Sequence, residues 1–202
     1  AIPSSSDPSR LTLGYNRGSG ASEVPEGQIT SGSLSGVLRF RSETLDGVRN
    51  QLGQLALAMA DSFNQQHREG FDLNGEQGGD FFSFSGARVV DNTRNTGDAS
   101  LSVSYTDTSK VKANDYRVEY DGANWQVSRL PDNVKVNATA GKDADGNPTL
   151  SFDGLEVSID GNPQQKDSFT VKPVSDVAGN LKVAITDSAK IAAAGKDDSG
   201  RG

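Results

Sequence analysis

Leu38, Leu45, Val48, Leu52, Leu55 and Met59 are separated by steps of seven, three, four, three and four. That is the a/d seam of a helix that packs along another helix. Phe63 extends the stripe by one more step of four. Arg39, Glu43, Asp46, Arg49, Asn50 and Gln54 lie off the seam, with Arg39/Glu43 and Asp46/Arg49 spaced to pair along the surface. The spacing predicts one long, one-sided helix from about residue 33 to about residue 67. Ser31 or Ser33 is positioned to cap its first turn, His67 and Arg68 place donors at its last carbonyls, and Gly70 reads as a left-handed stop. Gly36, Gly47 and Gly53 each cost about 1 kcal/mol relative to alanine, so packing of the seam has to hold the helix together. At ~1.5 Å per residue the rod is roughly 50 Å long. The remaining sequence contains no second helix of that length to cover it.

The net charge of -7, from 20 basic and 27 acidic residues, argues against a nucleic-acid or anionic-membrane surface. No apolar run approaches the ~20 residues of a transmembrane helix, and the start carries no signal-peptide pattern. The chain opens Ala1-Ile2-Pro3 without methionine and reads as a processed or excised fragment. Absence of cysteine fits either a reducing cytoplasm or a protein exported unfolded without oxidative folding.

Before the helix, residues 1–32 are loop-like, with Leu11, Leu13 and Tyr15 alternating on a short strand whose partner has to come from elsewhere. After it, Phe71 to Asp80 forms a glycine-rich turn running into Phe81 and Phe82, two aromatics expected to pin the turn to the helix. From about Ala99 the period changes to two. Leu101/Val103/Tyr105 and Tyr116/Val118/Tyr120 alternate, and Asp121–Asn124 turns into Trp125/Val127/Arg129, which predicts a hairpin. Further strands are expected at Val134–Val136, Leu150–Ile159 and Phe169–Val171, with Leu181–Ile185 closing the domain. Thr186 or Asp187 is placed to cap a short helical turn, and Gly195–Gly202 reads as a disordered tail. The expected fold class is α+β: a long amphipathic helix with short flanking segments, plus an antiparallel all-β sandwich or small barrel. The expected division is 1–97 as part of a helical rod-like domain, 98–186 as a β-rich projecting domain, and 187–202 as a return segment and tail.

Chemistry-bearing patterns are few. His67 is the sole histidine, so a histidine triad has to use it, and its place at a helix end already supplies a structural role. Asp72/Asn74/Glu76 and Asp143/Asp145/Asn147 alternate as calcium-loop ligands do, but Gln77 and Pro148 stand where such a loop needs glycine. Both read as solvated turns. Trp125 with Tyr105, Tyr116 and Tyr120 is the one candidate sugar-stacking platform, and strand alternation assigns these residues to packing. No catalytic, cofactor or metal residues are assigned.

The run Gly32–Leu38, Phe40-Arg41, Asn50–Ala56, Phe63-Asn64, Gln66-His67 and Gly70–Gly75, continuing to Asp80-Phe81-Phe82, resembles the first hook-associated protein family of bacterial flagella. Thr186-Asp187 and Lys190–Ala194 are similar to the segment by which that family returns from its outer domain to its rod. The resemblance implies a structural subunit without catalysis or cofactor, at the junction of hook and filament. It implies ring assembly with other copies, contacts with the hook protein and the next junction protein, and an extracellular place reached through the flagellar export channel. Leu38, Leu45, Val48, Leu52, Leu55, Met59 and Phe63 are then the helix packing seam, left without partner helices in a fragment expected to be monomeric. The competing reading is a β-rich adhesin or carbohydrate-binding module, which requires an exposed aromatic face on the β-domain.

Overall fold

A computed structural model describes residues 1–16, 18 and 21–195. The expected tail from Gly195 onward lies, apart from Gly195 itself, outside the described residues. The long helix is present in three consecutive parts: α1 (Gly32–Arg39), a π-helical segment (Phe40–Leu45) and α2 (Asp46–Glu69). Ser31 takes the N-cap position in extended backbone, but its side chain makes no capping bond. At the far end Gly70 has φ -86° and ψ 174°, so the left-handed stop expected there does not form. Glycine is required for a different reason: a Cβ at Gly70 would stand 2.7 Å from the Ala192 carbonyl oxygen. The chain's return segment lies directly against the helix end.

Nine strands build two antiparallel sheets. They are β1 (Arg88–Asp91), β2 (Ser100–Tyr105), β3 (Asp115–Tyr120), β4 (Trp125–Leu130), β5 (Val134–Val136), β6 (Thr139–Lys142), β7 (Pro148–Phe152), β8 (Leu155–Asp160) and β9 (Ser168–Lys172). One sheet has the order β5-β4-β3-β9-β1, the other β6-β7-β8-β2. Neither closes into a barrel; the two sheets face each other as a sandwich. Tyr116 and Val118 of β3, Val127 of β4 and Val171 of β9 meet Leu150, Phe152, Leu155, Val157 and Ile159 of the facing sheet. Burying each such aliphatic side chain contributes about 1.5–3 kcal/mol.

The predicted β3–β4 hairpin forms in register, Val118 opposite Val127, and the Asp121 carboxylate accepts the amides of Ala123 and Asn124 to shape its turn. The run Leu150–Ile159 is two strands, divided where Asp153 and Gly154 adopt positive φ. β1 was not anticipated, and it places the start of the sandwich ahead of residue 98. The closing strand expected at Leu181–Ile185 is reduced to Lys182–Val183. It leaves the sandwich to pair with Phe82–Ser83 beside the helix. The partners of the N-terminal strand are internal: Leu11–Thr12 pairs with Ile2–Pro3, and Gly14–Asn16 with Ala21–Glu23.

Helix and sandwich share one core. Leu57 enters the same apolar cluster as Val111, Val174 and Val177. Around it, Gln54 donates to the Val111 carbonyl at 2.6 Å, Asn50 to the Asp115 carboxylate at 3.1 Å, and Arg49 to the Ser175 carbonyl at 2.7 Å. The closest approach is at Gly53, which is buried against the Val174 carbonyl.

Candidate functional site: the outward face of the long helix

The face of α2 that meets the body is formed by Asn50, Gly53, Leu57, Ala60, Asn64 and His67, at alternating steps of three and four. It carries one large aliphatic side chain; the rest are polar or small. The predicted seam lies on the other side. Leu45, Val48, Leu52, Leu55, Met59 and Phe63 are between 47% and 68% exposed. These six residues form a contiguous apolar stripe along one helix face, unlike apolar residues scattered singly over a surface.

Leu38 is the exception among the predicted seam residues. It is half-buried and faces a polar cleft beside Ser35 rather than continuing the stripe. The π-helical segment explains the change. A π-turn accommodates one residue more than an α-turn, so a heptad step of seven becomes eight across Phe40–Leu45. Val37 therefore takes the place expected for Leu38, and Val37 and Leu34 are both exposed. The stripe thus runs from Leu34 to Phe63, with Leu38 rotated out of it.

Beside the stripe, Leu45, Val48 and Leu52 form one wall of a shallow groove whose other wall is a short helix, α3 (Val177–Asn180). From Asn50 to Ala60 the helix carries no charged residue.

The C-terminal end of the stripe is braced by aromatics. Phe63 lies 4.8 Å from Phe81 and 5.4 Å from Phe82, ring centre to ring centre, as the sequence led us to expect. Asn64 clamps the same turn, donating to the Phe82 carbonyl at 2.9 Å and accepting its amide at 2.8 Å. His67 is the hub: Nδ1 lies 2.7 Å from the Gly79 carbonyl, while Nε2 accepts the Ala192 amide at 2.8 Å. These partners require the neutral ring with its proton on Nδ1. One buried side chain thereby joins the helix, the glycine-rich turn and the return segment. Phe71 and Ala194 exchange backbone bonds at the same place, and Asp187 caps the turn Ser188–Lys190 by accepting the Ala189 amide.

The other candidates resolve into structure. Asp72 accepts the amides of Asn74 and Glu76, and these bonds, that from Glu76 above all, hold its carboxyl below the usual carboxylate range. Asp143 accepts the amides of Asp145 and Asn147 in the same way. Each is a turn built by an Asp side chain on its own backbone. Among the described residues no three His, Asp or Glu side chains converge as a metal site. Tyr116 is fully buried against Phe152, and Tyr105, Tyr120 and Trp125 are each partly buried, Trp125 packing against both Tyr120 and Phe169. The Tyr105 hydroxyl donates to the Pro173 carbonyl at 2.5 Å, and burial pushes it up to about 12. The aromatic residues offer no exposed platform.

Residues 1–82 match the family model described as the flagellar hook-associated protein FlgK helical domain, and residues 90–173 match that of the flagellar hook-associated protein 1 D2-like domain. The chain is 49% identical over 201 residues to flagellar hook-associated protein 1 of Escherichia coli (strain K12), covering 99% of this chain and 36% of that protein. The chain belongs to the flagellar hook-associated protein 1 family. It is 46% identical over 196 residues to the Salmonella typhimurium member, covering 96% of this chain and 35% of the relative. The solved structure of the flagellar hook junction protein FlgK from Burkholderia pseudomallei superposes with a TM-score of 0.87 at 35% identity, over 95% of this chain and 36% of that one. The chain therefore spans about a third of the length of the relatives it matches.

Proposed function

We propose that this chain serves as a structural subunit of the bacterial flagellum at the hook–filament junction, and acts by packing against other chains without catalysis. Family membership supplies the setting. The observation that carries the reading is the stripe Leu45–Phe63, lying exposed on a helix whose opposite face is fully engaged with its own body. A helix that presents its most apolar face to water is built to receive another helix. The packing seam is Leu45, Val48, Leu52, Leu55, Met59 and Phe63, extended through Val37 and Leu34 in place of Leu38. In this reading the chain up to about residue 87 belongs to the rod, since β1 (Arg88–Asp91) is already part of the sandwich that projects from it. Copies of the subunit associate in a ring between the hook protein and the next junction protein. The protein reaches that place outside the cell through the flagellar channel.

The test is oligomeric state by light scattering, for the chain alone and for the chain joined to the flanking segments that its longer relatives carry. The expected result is a monomer for the former and assembly for the latter, abolished by Leu52→Gln with Leu55→Gln. Assembly that survives the double substitution removes the seam from the mechanism. Glycan binding by the chain, with no assembly in either form, transfers the function to the sandwich.

A further inference from the structure

Residues 1–45 are attached to the body in a manner unlike the rest of the chain. Among the described residues of this stretch the buried side chains are Asp7, Thr12 and Ser35, and none of its apolar residues belongs to or packs against the core cluster. The attachment is polar. Lys172 of β9 places Nζ 2.5 Å from the Asp7 carboxylate, and both side chains are less than a tenth exposed. Asp115 of β3 lies 4.0 Å from the same Nζ and accepts the Asn50 amide, which ties the pair to α2. Arg10 pairs with Asp46, and Arg94 with Glu23. Thr170 donates to the Ser6 carbonyl at 3.2 Å, and the Thr93 amide to that of Ser5 at 2.9 Å. Between these tie-points a broad polar cleft separates the N-terminal segment from the outer face of the five-stranded sheet.

The helix changes character at the same boundary. From Asn50 onward α2 is fixed by Leu57, Gly53 and Gln54. Before Asp46, the helix contacts the N-terminal segment through Arg41 of the π-helical segment, which pairs with Glu26 and donates to the Leu11 carbonyl at 3.0 Å. The π-helical segment Phe40–Leu45 stands between the two regimes. Departures from α-geometry of this kind mark places where a helix bends or re-registers.

We propose that residues 1–16 and 21–45 form a clasp that detaches from the body and unfolds as one cooperative unit, with Phe40–Leu45 as its hinge and the buried Asp7–Lys172 pair as its latch. Regions held by few apolar contacts open below the free energy of global unfolding, in contiguous cooperative units. The body that remains, α2 with the sandwich, keeps its core cluster intact when the clasp opens. This device stands on the attachment geometry and does not depend on the flagellar reading.

Native-state hydrogen exchange on the whole chain tests it. The clasp reporters are the Arg10 amide, bonded to the Asp7 carbonyl, and the Val24 amide, bonded to the Leu13 carbonyl. The body reporters are the amides of Val118 and Val157 in β3 and β8. In the unmodified protein the clasp amides exchange together and faster than the body amides. Asp7→Asn, which leaves every strand of the sandwich untouched, accelerates the clasp amides about 100-fold, the lower end for removing one member of a buried ion pair because Asp115 still faces the ammonium. The body amides are unchanged. Arg10→Met acts in the same direction with a smaller effect. The proposal is overturned if clasp and body amides exchange at one common rate, if Asp7→Asn accelerates both sets equally, or if neither substitution moves the clasp amides.

Discussion

Gly53→Ala is predicted to destabilise the protein although it replaces a helix-breaking residue with the best helix former. Two effects compete. Alanine in a helix interior is worth about 1 kcal/mol more than glycine, which favours the substitution. Against it, a Cβ at position 53 would stand 1.9 Å from the Val174 carbonyl oxygen and 2.8 Å from its carbon. The obstacle is main chain in the segment that follows β9, so no side-chain rotation relieves it. The helix has to retreat. Retreat stretches the bonds from Asn50 to Asp115, from Gln54 to Val111 and from Arg49 to Ser175, and lifts Leu57 out of the shared core. Overpacking a well-filled site costs about 1–3 kcal/mol, and a rigid backbone neighbour places this case at the upper end. The net expectation is a loss of about 2 kcal/mol, or roughly 4–8 °C in Tm for a chain of this size.

Gly47→Ala is the control. It lies in the same helix, with nothing within 4 Å of the added Cβ. There the propensity gain acts alone, and stability rises by up to about 1 kcal/mol. Urea unfolding followed by helical circular dichroism and by the fluorescence of Trp125 measures both variants, one signal reporting α2 and the other the sandwich. If Gly53→Ala is as stable as the parent, or gains as Gly47→Ala does, the close approach of helix to sandwich is wrong. The shared core then fails with it.

Removing the His67 ring by His67→Ala strands the Ala192 amide and the Gly79 carbonyl, at a cost of about 2–3 kcal/mol, and the exchange rate of the Ala192 amide reports it directly. Leu55→Gln changes the unfolding free energy of the isolated chain by no more than ~0.5 kcal/mol, because that side chain already faces water. A larger loss means that the seam is engaged within the monomer. Asp167 is buried, and although burial acts to raise its carboxyl, the amides of Gln164, Thr96 and Gly97 outweigh that and hold it below the usual range. A depressed folded-state value means that its stabilisation is complete above the unfolded carboxylate range near pH ~4 and is lost as the pH falls through the folded value. Acid titration of stability therefore shows a shallower acid limb in Asp167→Asn than in the parent.

The helix and most of the strands were legible because their signals are periodic in hydropathy. Leu45, Leu52 and Met59 specify a helix whatever covers them, and Val118 opposite Val127 specifies a hairpin whatever it packs on. β1 and β6 were not legible for the same reason. Arg88-Val89-Val90-Asp91 is too short to alternate, and Thr139-Ala140-Gly141-Lys142 has no apolar phase. The loss of Leu38 from the seam was illegible too, since a π-turn leaves the residue types unchanged and alters only the count between them. Gly70 was assigned to the wrong cause. Its role is a close approach to Ala192, which is distant in sequence and so invisible to local turn rules.

The deeper difficulty lies in which face of α2 is inside. An apolar stripe is ordinarily the buried one, and the complementary face Asn50/Gly53/Leu57/Ala60/Asn64/His67 has almost no hydropathy signal because small and polar residues make it. That composition is itself informative. Glycine and alanine at helical spacing permit close backbone approach, and polar residues can be buried on the same stripe only where each finds a partner, as Asn50, Asn64 and His67 do. Under the proposed packing role, a helix bearing both stripes has two interfaces with different physics. The inner one is specified by geometry, since unpaired amides and displaced carbonyls exclude other registers. The outer one is specified by area alone, with no charge from Asn50 to Ala60 to fix a partner's orientation. The inner interface therefore sets the position of the sandwich on α2, and under the proposed role the outer face stays adaptable to the helices that cover it.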